Sequence, residues 1–195
     1  MNNPVLDLLR AARFAADRHR DQRRKDEAAS PYINHPLAAA ETLARHGELQ
    51  VVPLLGAILH DTIEDTDTTL DELRKAFGEA VAQVVAEVTD DRTLTKEVRK
   101  QKQVEKAPTL SRAAKLVKIA DKICNITDVI HSPPRKWSTE RRRDYLLWTS
   151  RVMDGCRGTN EALEATYDRI LQSGLERLEE SGLQRLENPN PDSDS

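Results

Sequence analysis

Five histidines occur in the chain, His19, His35, His46, His60 and His131. A lone histidine is more often a packed or surface residue than a ligand, so each needs company. His60 has it: Leu59-His60-Asp61-Thr62-Ile63-Glu64-Asp65 sets four titratable groups into an otherwise apolar segment. On a continuous helix Glu64 stands one turn from His60 and Asp65 one turn from Asp61. The adjacent His60 and Asp61 would splay by ~100° yet still reach one point beyond their shared edge. The bland alternative is a helix end frayed into solvent with an acidic surface patch. Against it stands the helix dipole, which disfavours carboxylates at a C-terminus and would be relieved by a divalent cation. Asp121 adds weight, because it lies in Leu116-Val117-Lys118-Ile119-Ala120-Asp121-Lys122-Ile123-Cys124-Asn125-Ile126, the most apolar helical segment. A buried carboxylate is costly unless paired or metal-bound, and Lys118 or Lys122 could supply the pairing instead. His35, in Pro31-Tyr32-Ile33-Asn34-His35-Pro36, is the second imidazole, although on local grounds a surface histidine is equally possible there. Together His35, His60, Asp61 and Asp121 would form a mixed nitrogen and oxygen set suited to Mn²⁺, Fe²⁺ or Zn²⁺ rather than Ca²⁺. An open position on such an ion would acidify a water for hydrolysis.

Those side chains need elements to carry them, and the pattern is helical throughout. Aromatic residues make up 4% of the chain. Apolar/polar alternation is nearly absent, and apolar residues recur at helical spacing, which predicts an all-α fold. Pro4 after Asn3 opens a helix through Leu8, Leu9, Ala12 and Ala16, and a polar, basic stretch follows from Arg18 to Glu27. Pro36 starts a helix closed by Gly47, and Pro53 starts another carrying Leu55, Ile58, Leu59 and Ile63. Thr69 with Glu72 matches a capping box on a short helix ending at Gly78. Val81, Val84, Val85 and Val88 form the next stripe, whereas Thr89 to Lys106 lacks apolar periodicity and reads as part loop. Ala113 to Ile130 is apolar on more than one face, the mark of a central buried helix, and Ser132-Pro133-Pro134 breaks it. Helices over 139–153 and 160–171 flank Gly155-Cys156-Arg157-Gly158. Leu175, Leu178, Leu183 and Leu186 suggest a marginal continuation, and residues 188–195 read as a disordered tail.

Composition narrows the class. The chain has 195 residues, 30 Lys+Arg against 33 Asp+Glu, a formal charge of −3 and two cysteines. That length suits one domain over residues 1–187. No run approaches the ~20 apolar residues of a membrane span, and the first 24 residues lack a signal-peptide core. Cys124 and Cys156 are too few for a disulfide framework or a thiolate zinc cluster. A cytoplasmic globular protein is the expectation, and a charge near zero argues against binding a nucleic-acid polymer.

The wider motifs resemble one family. Arg24-Lys25, Pro31-Tyr32-Ile33-Asn34-His35-Pro36-Leu37, His60-Asp61-Thr62-Ile63-Glu64-Asp65-Thr66, and Lys115 to Lys122 with Asn125 are similar to the HD-domain hydrolases of RelA/SpoT homologues. The resemblance runs from about residue 5 to residue 174, includes Tyr145 and Arg157-Gly158-Thr159-Asn160, and is nearest to the stand-alone small alarmone hydrolases. It implies a single all-α bundle of about 8–10 helices. It also implies removal of the 3′-pyrophosphate from (p)ppGpp. In that frame His35, His60, Asp61 and Asp121 would hold one Mn²⁺, with Zn²⁺ or Fe²⁺ as substitutes. Glu64 and Asp65 would position and deprotonate the attacking water, while Arg24, Lys25, Asn125 and Tyr145 would contact the nucleotide. Two departures stand out: Cys124 replaces an aromatic residue or histidine, and Ala28-Ala29-Ser30 replaces a glycine-containing turn. Arg141 to Arg143 read as a solvated face, and Trp137 and Trp148 as packing residues. Removal of the 2′-phosphate of NADPH by the same site, or a silent nucleotide-binding module, are the alternative functions. The intact Glu64-Asp65 pair speaks against the latter. No membrane partner is implied, and the oligomeric state stays open.

Overall fold

The computed structural model describes residues 3–187, with side chains to residue 180. All described regular structure is helical, apart from an isolated bridge between Arg23 and Pro31. The helices are α1 (Pro4–Arg18), α2 (Asn34–Arg45), α3 (Val51–Leu59), α4 (Thr62–Asp65), α5 (Leu70–Phe77), α6 (Glu79–Val88), α7 (Lys96–Lys106), α8 (Arg112–His131), α9 (Thr139–Asp154) and α10 (Glu161–Glu187). A 3₁₀ turn, Ala107–Thr109, joins α7 to the segment before α8.

Local chemistry explains most boundaries. The Asn3 side chain accepts from Val5 N and Leu6 N, so α1 begins where its first orphan amides find a partner. Thr69 and Glu72 form the expected capping box on α5. At the start of α10, Asn160 Oδ1 accepts from Leu163 N while Glu164 Oε1 accepts from Asn160 N. The α8 helix is the hub, burying residues on every side from Ala114 to Ile130, and it packs against α2, α3, α6, α9 and α10.

Two expectations about elements hold and one is corrected. The α1 helix runs through Leu8, Leu9, Ala12 and Ala16 as expected, burying Ala11 and Ala15 and leaving Leu9 exposed. The His60 segment is not one helix. His60 Nδ1 donates to Ala57 O and Thr62 Oγ1 donates to Leu59 O, taking carbonyls that continued helix would use, and Asp61 stands at the break. The last helix runs from Glu161 to Glu187, the continuation past Leu171 that Leu175 and Leu178 suggest, with Leu178 buried. The tail over 188–195 lies outside the described residues.

Candidate active site

The four expected ligands converge from three elements. His35 comes from the first turn of α2, His60 and Asp61 from the break between α3 and α4, and Asp121 from mid-α8. His35 Nε2 lies 3.1 Å from Asp121 Oδ1 and 3.8 Å from Asp61 Oδ2. His60 Nε2 lies 3.0 Å from Asp61 Oδ2 and 3.7 Å from Asp121 Oδ1. His35, His60 and Asp121 are buried and offer ligand atoms all within 4.8 Å of one another, while Asp61 is half-buried beside them.

The histidine and carboxylate chemistry fits a cation. A backbone carbonyl only accepts, so the Nδ1 contact with Ala57 O at 2.8 Å leaves His60 Nε2 as the ligating nitrogen. That Nε2 is buried with no hydrogen-bond partner. Burial alone would lower the His60 pKa, but Asp61 and Asp121 outweigh it and push it up to about 10. Burial likewise opposes ionisation of the two carboxyls. The neighbouring histidines, with Lys122 beside Asp121, overcome it and hold both well below the usual carboxylate range. A cluster that draws positive charge this strongly, built from two imidazoles and two carboxylates, suits a divalent transition ion.

The surrounding donors hold the cluster in place. Tyr32 Oη donates to Asp61 Oδ2 at 2.6 Å, Asn125 Nδ2 donates to Asp121 Oδ1 at 2.5 Å, and Lys122 Nζ pairs with Asp121 Oδ2 at 3.0 Å. The expected ion pair of Asp121 is therefore present alongside the histidines. Lys118 instead donates to Val88 O at 3.1 Å.

Glu64 and Asp65 sit on α4, and both line the cavity that holds the cluster. Glu64 Oε2 accepts from Asp90 N at 3.0 Å, and Arg99 lies 3.5 Å from Oε1. Burial, with Asp90, Asp61 and Asp65 nearby, raises the Glu64 pKa above its ordinary value, the direction a general base needs. Asp65 is held from two sides, by Gln22 Nε2 at 2.7 Å and Arg92 Nη2 at 2.7 Å.

The cavity has a volume of ≈ 670 Å³, and all four expected nucleotide contacts line it. Arg24 pairs with Asp128 and lies 5.6 Å over the Tyr32 ring. Lys25 is exposed at the rim. Asn125 faces Asp121 as well as the cavity. Tyr145 packs between Trp137, edge-on, and Trp148, tilted, each at 5.3 Å between ring centroids. The two tryptophans pack and also line the cavity. Cys124 is a core residue beside Thr42, its thiol pushed up to about 12 by burial.

Sequence reasoning missed part of this wall. Arg141 is not merely solvated: it lies 4.6 Å over Trp137 and lines the cavity. Arg142 donates to Val129 O and Ile130 O at the end of α8. The α7 helix turns Lys96, Arg99, Lys100 and Gln103 to the cavity, a polar stripe at helical spacing that the search for apolar periodicity passed over. Tyr32 and Gln22 carried no signal beyond sitting near the histidine and arginine motifs, and Asp128 none beyond following Asn125 on α8.

Comparisons with known proteins agree with this geometry. A family model described as the HD domain matches residues 11–149. The chain is 49% identical over 177 residues to the guanosine-3′,5′-bis(diphosphate) 3′-pyrophosphohydrolase MESH1 of Homo sapiens, covering 90% of this chain and 99% of that protein. The Mus musculus protein of the same name is 48% identical, with 88% and 97% covered. A solved structure described as a metazoan orthologue of SpoT that hydrolyses ppGpp superposes with a TM-score of 0.85 at 40% identity, over 90% of this chain and 99% of that one.

Proposed function

The chain belongs to the HD-domain hydrolase family, and from that premise we propose that it is a metal-dependent (p)ppGpp 3′-pyrophosphohydrolase. It releases pyrophosphate and GDP or GTP. The observation that carries this reading is the convergence of His35, His60, Asp61 and Asp121 in one cationic cavity with Glu64 and Asp65. These four residues would hold a single divalent ion, which we take to be Mn²⁺. When bound, the ion would supply Lewis acidity to the reaction.

The chain's own groups do the rest. Glu64, with its pKa raised by burial, accepts the proton of the attacking water, and Asp65 orients that water. The 3′-oxygen of the ribose leaves with the electron pair of the broken phosphorus–oxygen bond and is protonated to the 3′-hydroxyl, the proton that Glu64 took from the water balancing the step. Arg24 and Lys25 bind phosphate or the base, Asn125 and Tyr145 bind the nucleoside, and Lys96, Lys100 and Arg141 supply further positive charge on the same wall.

Residues 1–187 form one hydrolase domain in this reading, supported by Leu163, Tyr167 and Leu178 of α10 in the same core as α2 and α8. No helix of the described residues is long and apolar enough to cross a membrane. Two free, buried cysteines accord with a reducing cytoplasmic setting.

The test is metal analysis of protein purified without chelator, followed by pyrophosphate release from ppGpp, with phosphate release from NADPH measured on the same preparation. Bound Mn²⁺ with faster ppGpp turnover is expected. Phosphate release from NADPH alone would move the activity to the other nucleotide.

A further inference from the structure

His19 and Gln22, which have no role in the reaction described above, reach Asp65 through hydrogen bonds whose direction is forced. Gln22 Nε2 lies 2.7 Å from Asp65 Oδ2. An ionised carboxylate only accepts, so the amide nitrogen faces Asp65 and the amide oxygen faces the other way. That oxygen lies 2.7 Å from His19 Nδ1. It also only accepts, so Nδ1 carries the proton, as both the Nδ1–H tautomer and the imidazolium do. Each link therefore permits one orientation.

Both residues are themselves anchored. His19 is 2% exposed, lies against the Tyr32 ring at 5.0 Å, and its backbone amide closes α1 on Ala15 O. Gln22 N donates to His19 O at 3.0 Å, and Gln22 O accepts from Tyr32 N at 3.1 Å. On the other side of Asp65 stands Arg92, whose side chain is 58% exposed. Without Gln22, the carboxylate keeps only this solvent-exposed partner.

We propose that His19 and Gln22 are positioning residues: His19 fixes which way the Gln22 amide points, and Gln22 holds Asp65 in its working orientation against the pull of Arg92. The proposal rests on the reading of Asp65 as a catalytic residue.

Four substitutions test it, each measured for pyrophosphate release from ppGpp, manganese content and thermal melting. Gln22→Met keeps the volume and removes the amide. It is expected to lower kcat about tenfold, with KM changed by less than about twofold and metal content unchanged. His19→Asn places an amide nitrogen near the Nδ1 position and keeps most of kcat. His19→Gln is closer to histidine in size but presents its nitrogen near Nε2, and loses about as much as Gln22→Met. Added to Asp65→Asn, Gln22→Met costs nothing further, because it acts through Asp65. A role in packing alone would rank the His19 variants by size and make the Gln22 and Asp65 effects additive. Either result, or a wild-type kcat in Gln22→Met, overturns the proposal while leaving Asp65 in place. A wild-type kcat in Asp65→Asn overturns the reading of Asp65, and the proposal with it. If the His19 variants fail to fold, Gln22→Met and the double variant decide.

Discussion

Glu64 meets two demands that pull against each other. Burial raises its pKa, which improves it as a base but makes its ionised form a liability to the fold near neutral pH. For a carboxyl whose folded pKa lies above the unfolded one, the folded state binds the proton more tightly, so stability falls as pH rises through that interval. Glu64→Gln is thus expected to bind metal normally and melt no lower than the wild type at neutral pH. Its turnover is expected to fall by ~10²–10⁴-fold. The acid limb of kcat/KM is expected to set in at higher pH than an ordinary glutamate would give, and the variant's profile should lack that limb. A rate equal to wild type would reduce Glu64 to its bond with Asp90. His60→Ala or Asp61→Ala, by contrast, is expected to remove both metal and activity, which metal analysis beside the same assay checks. At this scale the sequence was informative wherever charge is costly to bury, as with Asp121 among Leu116, Val117 and Ile119. Neutral polar groups such as Gln22 and Tyr32 carry no such cost in the sequence, so only the fold reveals what they hold.

The elements meet so closely that small changes between them should reach the site. A Cβ at Gly56 of α3 would lie 2.7 Å from Val84 Cγ1 of α6 and 3.2 Å from Val117 Cγ2 of α8. Both neighbours are valines on helices, with one favoured rotamer and little room to yield. Gly56→Ala is expected to destabilise by roughly 1–3 kcal/mol. Because α3 leads directly into His60, metal affinity should weaken as well, as melting and metal titration together would show. Ala29 makes the opposite case. It adopts φ +48° in the turn that brings Arg24 N onto Ser30 O, where the family resemblance leads one to expect glycine. Ala29→Gly relieves a left-handed alanine and is expected to raise the melting temperature without changing kcat. The helix-start signals at Pro4, Thr69 and Asn160 were readable because capping is local. The break at His60 was not, because the carbonyls of α3 are taken by side chains whose rotamers depend on packing against α8.

Over the whole molecule the net charge is −3, the wrong sign for an anionic nucleotide. Yet Arg24, Lys25, Lys96, Arg99, Lys100, Lys122 and Arg141 all line one cavity. Attraction must therefore come from this local wall and act over about a Debye length, so higher ionic strength is expected to raise KM while leaving kcat little changed. Within the wall, Arg24 differs from the lysines. Its guanidinium is set over Tyr32 by Asp128, which leaves a flat, oriented cation to stack on a base or fork onto phosphate. Burial works against its charge, but Asp128 more than offsets this and keeps Arg24 protonated. Arg24→Ala is expected to raise KM for ppGpp about tenfold with metal content unchanged, and Arg24→Lys to recover only part, since an ammonium offers a point charge without the plane. Arg142→Ala is the comparison. Its guanidinium is spent on Val129 O and Ile130 O at the end of α8, so that variant should melt at a lower temperature but keep its KM. Equal rises in KM for the two variants would mean that diffuse charge, rather than a shaped nucleotide pocket, draws the substrate in.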